Sequence, residues 1–385
     1  MALYKDIATI LNSLNAQARG VDAVDAVDLS GTIAEIRQNI DSADYKDAFM
    51  NSLATVISAY SNRYLSTRLK YPAINVNSDV YGGMLVKNDI APFVAKENTS
   101  TGTGANNYDG PDWTEYSAPS VVQRFFVGFD KWSEKMKLPD DLLDTAFHGE
   151  AEASAFIDAV MAAFFDAQTQ HQNKAQDMAL INYIAECIAD GRNVVNLRTL
   201  YNTAYGTEKT MAEFLLDQSC HQFACMVIDK YKTYLTAPDG TNLFNLENKT
   251  RRSDPEDVVA FFLTDFVSAY KTYLLNGVSI LNNDLLQLGA FYEVHAWQGT
   301  SAQALGAPNL ASTSAINIKA NSGAVVNASG IVGAIIDKRG LATAQLNYVS
   351  AVDRFNGDGI TFYTQRAKAS YINDHSENAV IFTIA

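Results

Sequence analysis

The stretch Glu150 to Asp190 reads EAEASAFIDAVMAAFFDAQTQHQNKAQDMALINYIAECIAD, with Gly149 before it, Gly191 after it and no Gly or Pro between. Its apolar residues recur at helical spacing: Phe156, Val160 and Phe164 on one line, Ile157, Met161 and Phe165 beside it, then Met178, Ile181, Ala185 and Ile188. The spacing predicts one helix, which at the standard rise reaches roughly 60 Å, longer than a single compact core needs. It is expected to act as a spine tying two parts of the protein together, with Phe156, Val160 and Phe164 as core positions. Its middle, QTQHQNKAQD from Gln168 to Asp177, is polar nearly all round and is expected to stand partly exposed.

Around that helix, 385 residues with 48% hydrophobic and 11% aromatic content are enough for two or three domains with substantial cores. Lys and Arg total 29 against 43 Asp and Glu, a formal net charge of -14. That balance argues against broad nucleic-acid binding through a basic surface, although a protein that only encloses nucleic acid needs no such surface. No window approaches a transmembrane run, and MALYKDIATILNSLNAQARG lacks a clean signal-peptide core, so no membrane association is expected and the chain should stay in the cytosol. Cys187, Cys220 and Cys225 have no framework spacing and read as reduced, buried thiols.

Upstream of the spine, an amphipathic helix over residues 1–20 is followed by a polar, mobile link, VDAVDAVDLSG, and two further helices, one capped near Ser30 to Thr32 and one from about Ala43 to Leu69. From Pro72 to Ser120 short strand-like pieces, among them Ile74 to Val76 and Met84 to Val86, surround NTSTGTGANNYDGPDW, Asn98 to Trp113, a long protruding loop expected to contact a partner. Val121 to Trp132, VVQRFFVGFDKW, reads as strand, and Pro139 and Asp140 as the start of a short helix. Downstream, a loop leads to a helix from about Met211 to Leu235. Strand VVAFFL (Val258 to Leu263) then precedes a capped helix, Phe291 to Trp297, Ala315 to Ile318 and Ile331 to Ile336 follow as strands, and Asp337 caps a helix over Leu341, Ala344 and Leu346. Tyr348 to Phe355, the turn Asn356 to Gly359, Ile360 to Ile372 and Ala379 to Ile384 read as a β-meander.

Catalytic grammar is absent: there is no GxxxxGK[ST], strand-borne GxGxxG, HExxH or GxSxG. Cys220, His221 and Cys225 lie close in sequence, yet Cys220 and His221 point to different sides of a helix and no second ligand pair follows, so no metal is assigned. The carboxylate groups Asp140 and Asp141, and Asp254, Glu256 and Asp257, each open a helix or strand, where capping accounts for them. His295 reads as a satisfied core histidine in an apolar strand.

The order of these segments resembles the major capsid proteins of tailed bacteriophages (Caudoviricetes), the Hong Kong 97-like fold. The extended loop before VVQRFFVGFDKW and the long helix after LPDDLLDTAFHGE look like that family's E-loop and spine, and SDPEDVVAFFLTDFVSAYKTYLLN, Ser253 to Asn276, looks like the strand and helix of its axial domain. The ending from Ile331 to Ala385, with its Asn-Asp and Ser-Glu-Asn turn before a last apolar strand, is similar to the family's ending. The resemblance covers about residues 70 to 385. It implies an α+β fold with a long spine helix, peripheral β-sheet, axial α/β-like domain, extended E-loop and N-terminal arm. The implied division is an arm over 1–70, an E-loop over 71–120, a peripheral domain over 121–199, an axial domain over 200–345 and C-terminal peripheral strands over 346–385.

The same resemblance implies a virion shell subunit, assembled in the host cytoplasm as hexamers and pentamers of an icosahedral head. It would enclose double-stranded DNA without sequence-specific binding, with scaffolding and portal proteins as partners and neither cofactor nor catalysis. Asn98, Tyr108 and Trp113 are the implied inter-subunit contacts of the loop. Family members sometimes carry a Lys to Asn crosslink; Lys87 and Lys96 lie in the loop region, but no matching Asn and Glu set is evident and none is assigned. The rival readings are an encapsulin-like nanocompartment shell, a cytosolic two-domain hydrolase and a tail or baseplate component.

Overall fold

The computed structural model describes residues 14–16, 18–19, 29–39, 42, 44–45, 47–49, 51–52, 69–76, 85–90, 121–126, 129–139, 150–237, 244–247, 251–273, 289–298, 310–320, 322–355 and 360–385. The strands are β1 (Leu85–Ile90), β2 (Val121–Phe126), β3 (Phe129–Pro139), β4 (Val194–Asn196), β5 (Val258–Leu263), β6 (Ala290–Val294), β7 (Ile316–Lys319), β8 (Val325–Ala328), β9 (Ile331–Asp337), β10 (Leu341–Phe355), β11 (Ile360–Asn373) and β12 (Ala379–Thr383). The spine is a helix over Glu150–Asp190, with the bounds that the glycine-free stretch predicts. The expected VVQRFFVGFDKW strand is two strands in different sheets; β3 runs on to Pro139, and the short helix expected from there lies outside the described residues.

The chain forms two compact units, one of Met1–Gly83, Gly128–Leu180 and Ala342–Tyr371, the other of Met84–Val127, Ile181–Leu341 and Ile372–Ala385. In the first unit a three-stranded sheet runs β10-β11-β3, with β11 and β3 antiparallel from Ile360 opposite Pro139 to Ser370 opposite Phe129. Trp132 on β3 lies against His171 of the spine, ring centroids 5.3 Å apart, and His171 Nε2 bonds the Glu134 carboxylate.

The spine's polar middle is not simply exposed. Gln168, Gln172 and Gln176 recur every four residues and are buried on one line, while Gln170 and Lys174 face solvent. Gln176 acts as a peptide mimic: Tyr71 N donates to its Oε1 and its Nε2 donates to Tyr71 O, both at 3.1 Å. Lys70 N donates to Asn173 (2.8 Å), and the Lys70 ammonium and the Tyr71 hydroxyl both reach Asp177. The C-terminal end of the polar middle, Asn173, Gln176 and Asp177, therefore binds a passing segment of chain, and that requirement overrides the exposure its composition suggests. The same segment forms a 3-10 turn over Pro72–Ile74 with a single bridge from Asn75 to Thr343, where a strand over Ile74 to Val76 is expected. Nearer the N-terminus a helix covers Leu29–Asn39, and Glu35 accepts from Asn15 and pairs with Arg19. Of the helix expected over 43–69, residues 53–68 lie outside the described set.

In the second unit a five-stranded sheet runs β4-β12-β9-β5-β6, with β12/β4 and β5/β6 parallel and β12/β9 and β5/β9 antiparallel. Every residue of β5, β9 and β12 is buried, as continuous apolar runs such as VVAFFL predict for strands covered on both faces. The Phe262 ring stacks with Phe266, Phe291 and Phe382 at centroid distances of 6.3, 5.7 and 6.1 Å. Gly333 is the cross-strand neighbour of both Phe262 and Phe382, and a Cβ there would lie 2.2 Å from the Phe262 ring. The stack thus requires glycine at that position.

Several local expectations give way to caps and turns. The helix expected over 211–235 is two, Met211–Leu216 and Gln218–Thr236, because Asp217 is extended and its carboxylate caps the second by accepting from Ser219 N. The expected loop after Gly191 contains β4 and a helix over Leu197–Tyr205, capped by Asn196 and closed by Gly206 at φ 64°. Asp337 caps no helix. Its carboxylate is taken by Arg339, Gly340 N donates to Asp337 O, and the chain turns directly into β10. The last strand leaves the expected meander, since β12 inserts between β4 and β9. His295 follows β6 on an exposed bend, so it is no core histidine.

Gly333→Ala is expected to destabilise the subunit by about 1–3 kcal/mol through overpacking against Phe262. Urea unfolding of the isolated subunit checks this, and a midpoint equal to wild type would contradict the packing described.

Candidate functional site: an ionic anchor at the root of the loop

β1 and β2 form an antiparallel hairpin in register from Leu85 opposite Phe126 to Ile90 opposite Val121, and its open end leads into residues 91–120. Strand alternation gives the hairpin two faces. One carries Lys87, Asp89 and Arg124, with Lys87 and Arg124 directly opposite each other. Two like charges so placed repel unless an anion lies between them. That anion is Asp374, which takes Lys87 Nζ on Oδ2 at 2.6 Å and Arg124 Nη1 on Oδ1 at 2.9 Å.

The network extends from there. Lys87 Nζ also reaches Glu377 Oε1 at 2.6 Å, and Arg251 joins Glu377 (2.6 Å) to Asp89. Arg124 makes a two-pronged pair with Glu247, at 2.5 and 2.6 Å, the geometry in which guanidinium and carboxylate match best. Arg339 holds Asp337 at 2.6 Å beside this group. The side chains of Asp374 and Glu377 are 0% and 1% exposed, so their charges rely on these cations instead of water.

The turn that carries both carboxylates, Asp374 to Asn378, is fixed by its own backbone. Ser376 N donates to Asp374 Oδ1, Asp374 N to Gly340 O, Asp337 N to Asn378 O and Leu246 N to His375 O. Asn378 Nδ2 donates to Arg251 O, and the His375 ring lies against Tyr183 at 4.4 Å. Burial works against ionisation of Asp374, yet the Lys87 ammonium and the Ser376 N–H hold its carboxyl below the usual range. Burial pushes the His375 imidazole below its ordinary range, although Glu186, Asp374 and Glu247 pull it up. The arrangement binds a hairpin to a turn. Among the described residues no group of side chains forms a metal site.

The positions singled out in the sequence lie elsewhere. Asn98, Tyr108 and Trp113 are outside the described residues. Phe156 is half-buried and Val160 buried on the spine, and Phe164 is in the same helix with its side chain outside the described set. Cys220, His221 and Cys225 are buried; His221 Nε2 meets Leu215 O, and burial pushes the Cys225 thiol up to about 12. Of the carboxylates Asp254, Glu256 and Asp257, the last pairs with Lys338. Sequence reading passed over Arg124, Arg251, Asp374 and Glu377. The signals were charges set inside apolar strand pieces, in LVKNDI and VVQRFF, and a carboxylate pair in a turn before an apolar strand.

With this geometry in hand, similarity to solved structures shows the fold, the Hong Kong 97-like one. A chain of the Staphylococcus phage Andhra capsid structure aligns at TM-score 0.51 and 11% identity over 81% of this chain and 83% of that one. A chain of the native bacteriophage P68 structure, described for its head fiber and inner core protein, aligns at 0.50 and 10% identity over 82% and 85%. No curated protein sequence matches. The family model for the Phi29-like phage major capsid protein matches residues 118–383, and the chain belongs to that family. It is a capsid protein of the virion, as the resemblance in its sequence implies.

Lys87→Ala is expected to cost up to about 3–5 kcal/mol, because it strips one cation from each of two buried carboxylates and leaves Asp374 to Arg124 and Glu377 to Arg251, and denaturant unfolding measures it. The pH dependence follows from the two shifts. His375 has a depressed folded pKa, so near and below about pH 6.5 the unfolded chain takes a proton that the folded site refuses, and stability falls as pH drops through that range. Depressed Asp374 contributes stability above about pH 4 that is lost as pH falls through its folded pKa. A fall in thermal midpoint between about pH 7.5 and 5.5 is therefore expected in wild type and should flatten in His375→Gln. Identical slopes in the two proteins would show that His375 does not titrate between states.

Proposed function

We propose that this capsid protein assembles as hexamers and pentamers of an icosahedral head around double-stranded DNA, with scaffolding and portal proteins as partners and no catalysis of its own. Residues 1–70 act as a helical arm, 71–120 as the E-loop, 121–199 and 346–385 as the peripheral domain and 200–345 as the axial domain. Asn98, Tyr108 and Trp113 contact a neighbouring copy.

The observation that carries this reading is the asymmetry of the β1/β2 hairpin. One face is locked into the subunit by the ionic anchor. The other holds Val86, Phe125 and Val121, exposed by 47%, 54% and 60%, with Val86 and Phe125 paired across the ladder. A two-stranded ribbon is marginal alone, and an apolar face held out from an anchored root is a surface for another protein. In a shell family, the partner of that face is the next copy of the same chain.

Deletion of Asn98 to Trp113 should leave the thermal midpoint of the isolated subunit within about 2 °C of wild type, because a sequence so rich in Asn, Thr and Gly has few apolar side chains to bury. The same deletion should abolish closed shells in electron micrographs of protein co-expressed with its neighbouring gene products. Shells of wild-type size and yield from the deletion variant would remove the loop's role in assembly.

A further inference from the structure

Three consecutive helices of the second unit, Leu197–Tyr205, Met211–Leu216 and Gln218–Thr236, hold large apolar side chains out in water. Leu200 is 40% exposed, Tyr205 and Leu216 62%, and Met226 60%. The inner sides of the same helices are fully packed, with Leu197, Phe214, Cys220 and Ile228 buried, so the subunit's own core makes no use of the outer set. Ring contacts join the first helix to the third. Tyr205 lies 4.7 Å from Tyr201 and 6.0 Å from Phe223 between centroids, and the Tyr201 hydroxyl meets Ser219 Oγ at 2.7 Å. Met226 stands three residues beyond Phe223 on the same helix, which makes Tyr205, Phe223 and Met226 neighbours on one surface.

That surface is poor in charge. None of the exposed positions on the first helix, or on the third as far as Met226, carries a charge. At its border Lys209 pairs with Asp217, and the Glu213 carboxylate accepts from Thr210 N and Oγ1 to close the cap of the second helix. The unpaired border charges are Glu208, exposed in the turn after the first helix, and Arg198, half-buried in its first turn.

We propose that this helical face docks a second copy of the chain, as a further contact besides the apolar face of the β1/β2 hairpin; the proposal rests on the shell reading above. A ring of copies needs two faces on each subunit, because its two neighbours lie on different sides. The hairpin supplies one such face and the three helices supply another. Charge selects the partner. Each copy carries a net charge of -14, so two copies repel over most of their surfaces and meet at least cost where neither presents an unpaired charge. Tyr and Met, which stand out here as Tyr205 and Met226, are also residue types that protein interfaces favour.

The test places one cysteine on the face, Met226→Cys, in the full-length protein, whose Cys187, Cys220 and Cys225 are buried. Its reaction with a maleimide dye is followed in the unassembled subunit and in closed shells, with wild type as the blank. Fast labelling of the subunit and labelling of shells slower by about tenfold or more is the expected result, because interface cores pack as densely as protein interiors. A second variant, Leu216→Ser/Met226→Ser, should keep the subunit's thermal midpoint, since both side chains are exposed, yet require about tenfold or more protein for the same shell yield. Equal labelling of subunit and shells, or an unchanged shell yield from the double variant, would overturn the proposal. Slow labelling already in the subunit would overturn it in favour of a segment of the same chain. Protection only in particles that hold a co-expressed second protein would do so in favour of that protein. Absence of shells from wild type would overturn the shell reading, and this docking face with it.

Discussion

Two carboxylates removed from water, Asp374 and Glu377, set the constraint on which much of the second unit depends. Burial of an ionised group costs several kcal/mol even after relaxation, and only well-placed cations offset it. Here the cations arrive from distant parts of the chain: Lys87 and Arg124 from the hairpin, and Arg251 from the segment before β5. The hairpin's position is therefore set less by its own two strands than by the need to neutralise a turn some 250 to 290 residues away.

The turn is itself held by the sheet. β12 begins one residue after Asn378 and lies inside the five-stranded sheet between β4 and β9, with Phe382 in the aromatic stack around Phe262. Completion of the core by the chain's final strand thus delivers the carboxylates to the place where the hairpin needs them. Core formation and anchoring of the loop root are one event for this reason. A hairpin anchored on its own local sequence would lack that coupling.

What was legible in the sequence follows from the range of the interactions involved. The spine, β5 with its helix, and β9 are written in local periodicity and in the absence of breakers, and the structure has them where that pattern lies. Asp337 shows the limit. An aspartate before Leu341 and Ala344 has the composition of a helix cap, but Arg339 takes its carboxylate, and Gly340 packs so closely that a Cβ would lie 2.9 Å from Asp374 O. Nothing within a few residues announces that contact. Likewise Asp217 reads as a polar position within one helix, whereas its extended backbone makes it the boundary of two. The anchor was hidden for the same reason: each charge is visible, but which cation meets which carboxylate is decided by the tertiary fold.

Net charge misleads in a related way, because it counts signs without their positions. A total of -14 describes the chain, while the period of two in β3 sorts lysines to one face and Trp132, Glu134 and Met136 to the other. Such sorting survives only if the register does, since a slip of one residue would turn the lysines toward the spine and the tryptophan to solvent. The β3/β11 ladder runs without a shift from Phe129 to Pro139, and the Trp132 and Glu134 contacts to His171 hold the inward set in place. A packing requirement on one face therefore fixes the charge pattern on the other, just as the ionic anchor on one face of the β1/β2 hairpin leaves its apolar face outward. In both sheets the side that faces the subunit's own interior determines which residues the opposite side carries.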